Sequence, residues 1–90
     1  MAKMNIGIDG RMRERESDET ISKTFTATFE TPSGREVLKY LRSVTIEMVN
    51  GPNISDTELR HMEGQRFLVG LIETRIAHGH RSNTNAREPS

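Results

Sequence analysis

Ninety residues, with thirteen lysines and arginines against thirteen aspartates and glutamates, limit the chain to one small domain of zero formal net charge. That balance argues against an ordinary nucleic-acid binder, and no apolar run approaches the ~18 residues needed to span a bilayer. Only 32% of residues are apolar and cysteine is absent, so neither a large core nor a disulfide or thiolate metal site can stabilise the fold. Association with copies of itself or with a larger assembly is the remaining means.

Residues 1–17 read as an extended arm. Gly7 and Asp9-Gly10 are turn signals, the run Arg11 to Glu16 is of mixed charge, and no continuous apolar region marks a secretion signal. Met4, Ile6 and Ile8 alternate, so the arm is either a solvated tail or a strand added along a partner. Arg11, Arg13 and Arg15 are offset by their own acidic neighbours, which suits a linker better than a nucleic-acid tail.

A first helix is expected over about 18–30, capped by Ser17 or Asp18. Ile21, Phe25 and Phe29 form its apolar stripe. The alternation of Thr24, Thr26 and Thr28 with Phe25, Ala27 and Phe29 also fits a strand, but Asp18 and Glu19 stand where a helix start favours acids. Thr31 before Pro32 ends that helix and caps a second over about 32–49. Val37, Leu38, Leu41, Val44, Thr45 and Met48 are its inward residues and Asn50-Gly51-Pro52 its stop. A third helix, about 55–78, starts at the capping box Ser55–Glu58 and is apolar nearly all round from Phe67 to Ile72. Gly79 ends it, leaving 79–90 as a polar tail. The expected fold is all-α, a small three-helix domain over 18–78 between two arms.

Side chains that carry chemistry are few. Glu63 and Arg66, three apart, form either an ordinary helix pair or an interfacial one. His78 and His80 suit a polar helix end rather than a metal site, which needs three or four converging ligands. Gly7-Ile8-Asp9-Gly10 lacks the ligand spacing of a calcium loop and the lysine of a phosphate loop. No enzyme, metal or cofactor is expected. Gly64 and Gly70, each costing about 1 kcal/mol against alanine in a helix interior, are expected to admit another backbone. Phe67, Leu68, Leu71 and Ile72 make a docking ridge beside them, and Arg66 a partner for the neighbour. Arg35, Lys39 and Arg42 form the clearest basic stripe and are the candidate DNA contacts.

The order Phe25, Phe29, Pro32, Gly34-Arg35, Val37-Leu38 and Leu41, followed by Glu63-Gly64-Gln65-Arg66 and an apolar run, resembles a small family of tailed-bacteriophage proteins first named from a short-tailed Bordetella phage. The resemblance covers about Thr20 to Ala77. It implies a short helical protein without enzymatic activity, made in the bacterial cytoplasm and carried in the virion. Its implied partners are portal, adaptor or tail proteins and ring-arranged copies of itself; the alternative is a DNA-associated accessory packaged or ejected with the genome.

Overall fold

The computed structural model describes residues 4–87, the last four by their backbone alone. Three helices dominate it: α1 (Arg15–Phe29), α2 (Pro32–Ser43) and α3 (Asp56–Arg87). Ahead of them, β1 (Met4–Ile6) and β2 (Met12–Glu14) form an antiparallel hairpin, with Met4 opposite Glu14 and Ile6 opposite Met12. The alternation of Met4 and Ile6 therefore finds its strand partner within the chain. Gly7 N–H donates to Arg11 O (2.7 Å) and Asp9 Oδ1 accepts the Arg11 amide (3.1 Å), which closes the turn.

Helix boundaries depart from the sequence expectation at three places, each for a local reason. The second strand runs straight into α1, so the cap is the extended backbone of Glu14 and the helix starts ahead of Ser17 and Asp18. Between α1 and α2 the expectation holds: Thr31 is extended before Pro32, and its hydroxyl accepts the Gly34 amide at 2.9 Å. Gly34 is buried at this corner, where a Cβ would crowd Phe29 Cα at 2.7 Å. The second helix then stops at Ser43 rather than near residue 49. Val44-Thr45-Ile46 is a β-branched run, and Ser43 and Thr45 turn their hydroxyls back onto the Tyr40 and Leu41 carbonyls.

The third difference is the largest. Ser55 Oγ accepts the Glu58 amide (3.1 Å), as the capping box requires, but α3 passes through Gly79 and continues to Arg87. Residues 79–87, expected as tail, are helical, and 88–90 lie outside the described residues. Gly79 is buried, and a Cβ there would overlap Thr26 Oγ1 and the Ser22 carbonyl. It is the point of closest approach between α1 and α3, not a stop.

The molecule is a plate of 55 × 32 × 16 Å with a radius of gyration of 16.2 Å, where a compact 90-residue domain would have about 12 Å. Val69, 4% exposed, is the one hydrophobic side chain counted as buried among the described residues. The face of α1 that meets α3 is the polar row Asp18, Ser22, Thr26, while Ile21, Phe25 and Phe29 are half-buried beside it. No described helix is long and apolar enough to cross a membrane.

Candidate functional site

The contact of α1 with α3 is held by charge and hydrogen bonds. Arg75, 3% exposed, donates through Nη1 to Asp18 Oδ1 (2.7 Å), to the Asp18 carbonyl (3.0 Å) and to Ser22 Oγ (2.9 Å). Its Nη2 lies 3.3 Å from Asp9 Oδ2, which also receives Arg13 Nε and Nη2 at 3.0 and 2.7 Å. The hairpin turn is thereby fastened to α3. The Arg13 guanidinium, helped by the Arg11 amide, holds the Asp9 carboxyl far below the usual carboxylate range. Farther along, Thr26 Oγ1 donates to the Ile76 carbonyl (3.0 Å) and His80 meets Glu30 at 2.9 Å. His78 and His80 thus sit inside a helix and face α1, instead of forming a frayed polar end.

Ser22 Oγ is 2.6 Å from His78 Nδ1, the separation of a nucleophile and its base. Ser22 is 0% exposed and its hydroxyl oxygen already accepts from Arg75, so a substrate atom has no approach to it. With Nδ1 unprotonated, His78 accepts a hydrogen bond from the Ser22 hydroxyl, so the serine accepts from Arg75 and donates to His78. The cluster works as a clamp. No buried side-chain nitrogen or oxygen among the described residues lacks a partner.

Apolar surface lies outside this clamp. At 100° per residue, Gly64, Leu68, Leu71, Arg75, Gly79 and Ser82 fall in one sector of α3 about 80° wide. From Arg75 onward α1 and the hairpin turn cover that sector, and Arg75, Gly79 and Ser82 are buried. Before Arg75 the cover ends: Leu71 is half-buried, Leu68 is 58% exposed and Gly64 is open, with Phe67 beside them 71% exposed. Among the described residues nothing stands within 4 Å of a Cβ at Gly64 or Gly70, so neither glycine admits a backbone of its own chain. Ile72 is half-buried, between the sectors taken by α1 and α2.

Arg66 points to the other side. It donates through Nε to the Thr45 carbonyl (3.1 Å), through Nη2 to the Met48 carbonyl (2.8 Å) and through Nη1 to Glu63 (2.7 Å). Those carbonyls belong to the segment that leaves α2, so the Arg66 fork ties that segment to α3 and is committed within the chain. The basic stripe on α2 is largely neutralised: Arg35 pairs with Glu30 (3.0 Å), and Arg42 with Glu73 (2.5 Å) and Glu47 (3.2 Å). Lys39, between them, is exposed. Phe29, Leu38, Ile76 and Ala77 line a cleft of about 290 Å³ that Glu30, Arg35, Glu73 and His80 also border.

Sequence reasoning missed Asp9, Asp18, Ser22, Arg75 and Gly79. One signal was present: Asp18, Ser22 and Thr26 repeat every four residues, as do Arg75 and Gly79, giving a row of small or polar residues on each helix. No curated protein and no solved structure matches the chain. The profile of the family described as Bbp19-like phage protein matches residues 25–85, from the second half of α1 through nearly all of α3, and takes in Thr26, Arg75, Gly79 and the exposed Gly64–Leu71 face. The chain belongs to the Bbp19-like phage protein family.

Proposed function

We propose that this phage protein is a minor structural or assembly component of the virion, docking in several copies on the portal, adaptor or tail vertex. The observation that carries the reading is the exposed Phe67, Leu68 face of α3, which no other element of the described chain covers. A subunit of this kind completes its burial on a neighbour. It is made in the bacterial host and carried in the particle, and its role needs no catalytic group, metal or cofactor. Quantitative mass spectrometry of purified particles tests this: a fixed copy number per particle is expected, and absence from particles that contain portal and tail proteins would refute it.

The alternative of a DNA-bound accessory rests on Arg35, Lys39 and Arg42. With Glu30, Glu47 and Glu73 on the two arginines, few cations remain to displace counterions. DNA binding, if measured, should be weak with a shallow dependence on salt. A slope near that of three or more phosphate contacts would favour this alternative.

A further inference from the structure

We propose that the chain modifies itself at Asn50: the Gly51 amide nitrogen closes on the Asn50 carboxamide, and the residue ends as aspartate or isoaspartate. This reaction is independent of the virion role.

The Gly51 nitrogen gives its proton to hydroxide and attacks Asn50 Cγ. A bond forms between them, the bond from Cγ to Nδ2 breaks, and Nδ2 leaves as ammonia after taking a proton from water. Water then opens the five-membered imide at one of its two carbonyls. Opening at Cγ restores the ordinary main chain with aspartate at position 50. Opening at the main-chain carbonyl leaves isoaspartate, with one more methylene in the backbone. Water is consumed, ammonia is released, and nothing is oxidised or reduced. Each event adds one negative charge to a chain whose formal net charge is zero.

Freedom of the loop is the first argument. A helix or sheet would prevent the closure, because its ladder fixes both the amide nitrogen and the torsions that bring it to the side chain. Here α2 ends at Ser43, α3 begins at Asp56, and residues 49–51 belong to no element. Arg66 ties the segment as far as the Met48 carbonyl, and bonding resumes at the Ser55 cap. Between them, among the described residues, no hydrogen bond holds the Gly51 amide or the Asn50 carboxamide. Val49 is 91% exposed and nothing stands within 4 Å of a Cβ at Gly51, so packing does not hold the nitrogen back.

The second argument is a contrast within the chain. Asp9-Gly10 has the same form, and there the fold blocks the reaction. Asp9 Oδ1 accepts the Arg11 amide (3.1 Å), and Oδ2 takes Arg13 (2.7 Å) and Arg75 (3.3 Å). Those cations keep the group an ionised carboxylate, which has no leaving group comparable to ammonia. The attacking nitrogen is occupied too, since the Gly10 amide donates to the Gly7 carbonyl at 3.0 Å.

The purified full chain, kept folded in mildly alkaline buffer, tests the proposal. Peptide mass spectrometry and enzymatic methylation of isoaspartate read the product, and ammonia release reads the leaving group. Loss of the amide at Asn50 is expected, with a more acidic protein of unchanged helical circular dichroism and no isoaspartate at Asp9. G51A adds a Cβ that meets nothing within 4 Å, so it should fold as wild type and react more than about tenfold more slowly. N50A should abolish the ammonia release. An Asn50 amide that survives in the folded chain but is lost in urea would overturn the proposal, because the loop would then be held. Equal rates in G51A and wild type would do the same. So would scission after Asn50 without isoaspartate, which assigns the attack to Asn50 Nδ2 instead.

Discussion

Replacing either of two glycines of α3 by alanine should have opposite effects. At Gly79 the new Cβ would overlap Thr26 Oγ1 and the carbonyl of Ser22. The second obstacle is backbone inside α1, so a rotamer change cannot relieve it and the helices must separate. Overpacking of this kind costs about 1–3 kcal/mol, and the rigid obstacle places the cost at the upper end. Separation also lengthens the bond from Thr26 Oγ1 to the Ile76 carbonyl, worth about 1 kcal/mol. Against this, alanine regains about 1 kcal/mol of helix propensity. The net loss is about 2–3 kcal/mol, or a Tm lower by roughly 8–24 °C at the ~4–8 °C per kcal/mol typical of small domains. At Gly70 a Cβ meets nothing within 4 Å, so Gly70→Ala keeps the propensity gain and should raise Tm by a few degrees. Urea and thermal melts at low micromolar concentration, followed at 222 nm, measure both. If Gly79 merely ended a helix, alanine there would be harmless, and a Gly79→Ala protein as stable as wild type would refute the close approach of α1.

Removing Arg75 strands the Asp18 carboxylate in the clamp, so Arg75→Ala should cost about 3–5 kcal/mol, measured by urea denaturation, and Asp18→Asn in the same chain should recover part of it. Arg66→Ala should release the segment that follows α2 by taking donors from the Thr45 and Met48 carbonyls, and hydrogen exchange over residues 44–55 should accelerate. Lysine cannot replace the fork, so Arg66→Lys should behave like alanine there. Asp9 and Glu30 both titrate below their ordinary values in the folded chain, Asp9 through Arg13 and Glu30 through His80 and then Arg35. Their contributions are complete above the unfolded carboxylate range, near pH 4, and disappear as pH falls below it. A Tm series from pH 7 to pH 3 should therefore fall more steeply for wild type than for Asp9→Asn, and parallel curves would count against the Asp9 link.

What the sequence disclosed was whatever depends on neighbours along the chain. Thr31-Pro32 set the α1–α2 corner because both the restriction before proline and the hydroxyl cap act within three residues. Ser55 did the same for α3. The apolar excess around Phe67 was equally plain, and those side chains are exposed. Gly79 shows where such reading stops. A glycine after His78 has the form of a helix terminus, and only α1 lying across it turns the same residue into an interior contact. Asp9 is the other case: in the sequence it belongs to a glycine turn, and its meaning comes from Arg75, far along the chain. Gly64 and Gly70 were expected to admit a backbone, and within this chain Gly79 takes that part.

The division between a polar inside and an apolar outside has a physical consequence for assembly. A clamp built from Asp9, Asp18, Ser22 and Arg75 fixes how α1 lies on α3, because a shift of one residue would leave a buried charge without its partner. Such a contact adds little net stability over an apolar one of the same size, since desolvating the charges offsets most of their attraction. The apolar area that would otherwise stabilise the monomer stays on α3 at Phe67 and Leu68. A protein arranged this way is defined in shape but weakly stabilised when alone, and each neighbour that binds only the folded form stabilises it by mass action.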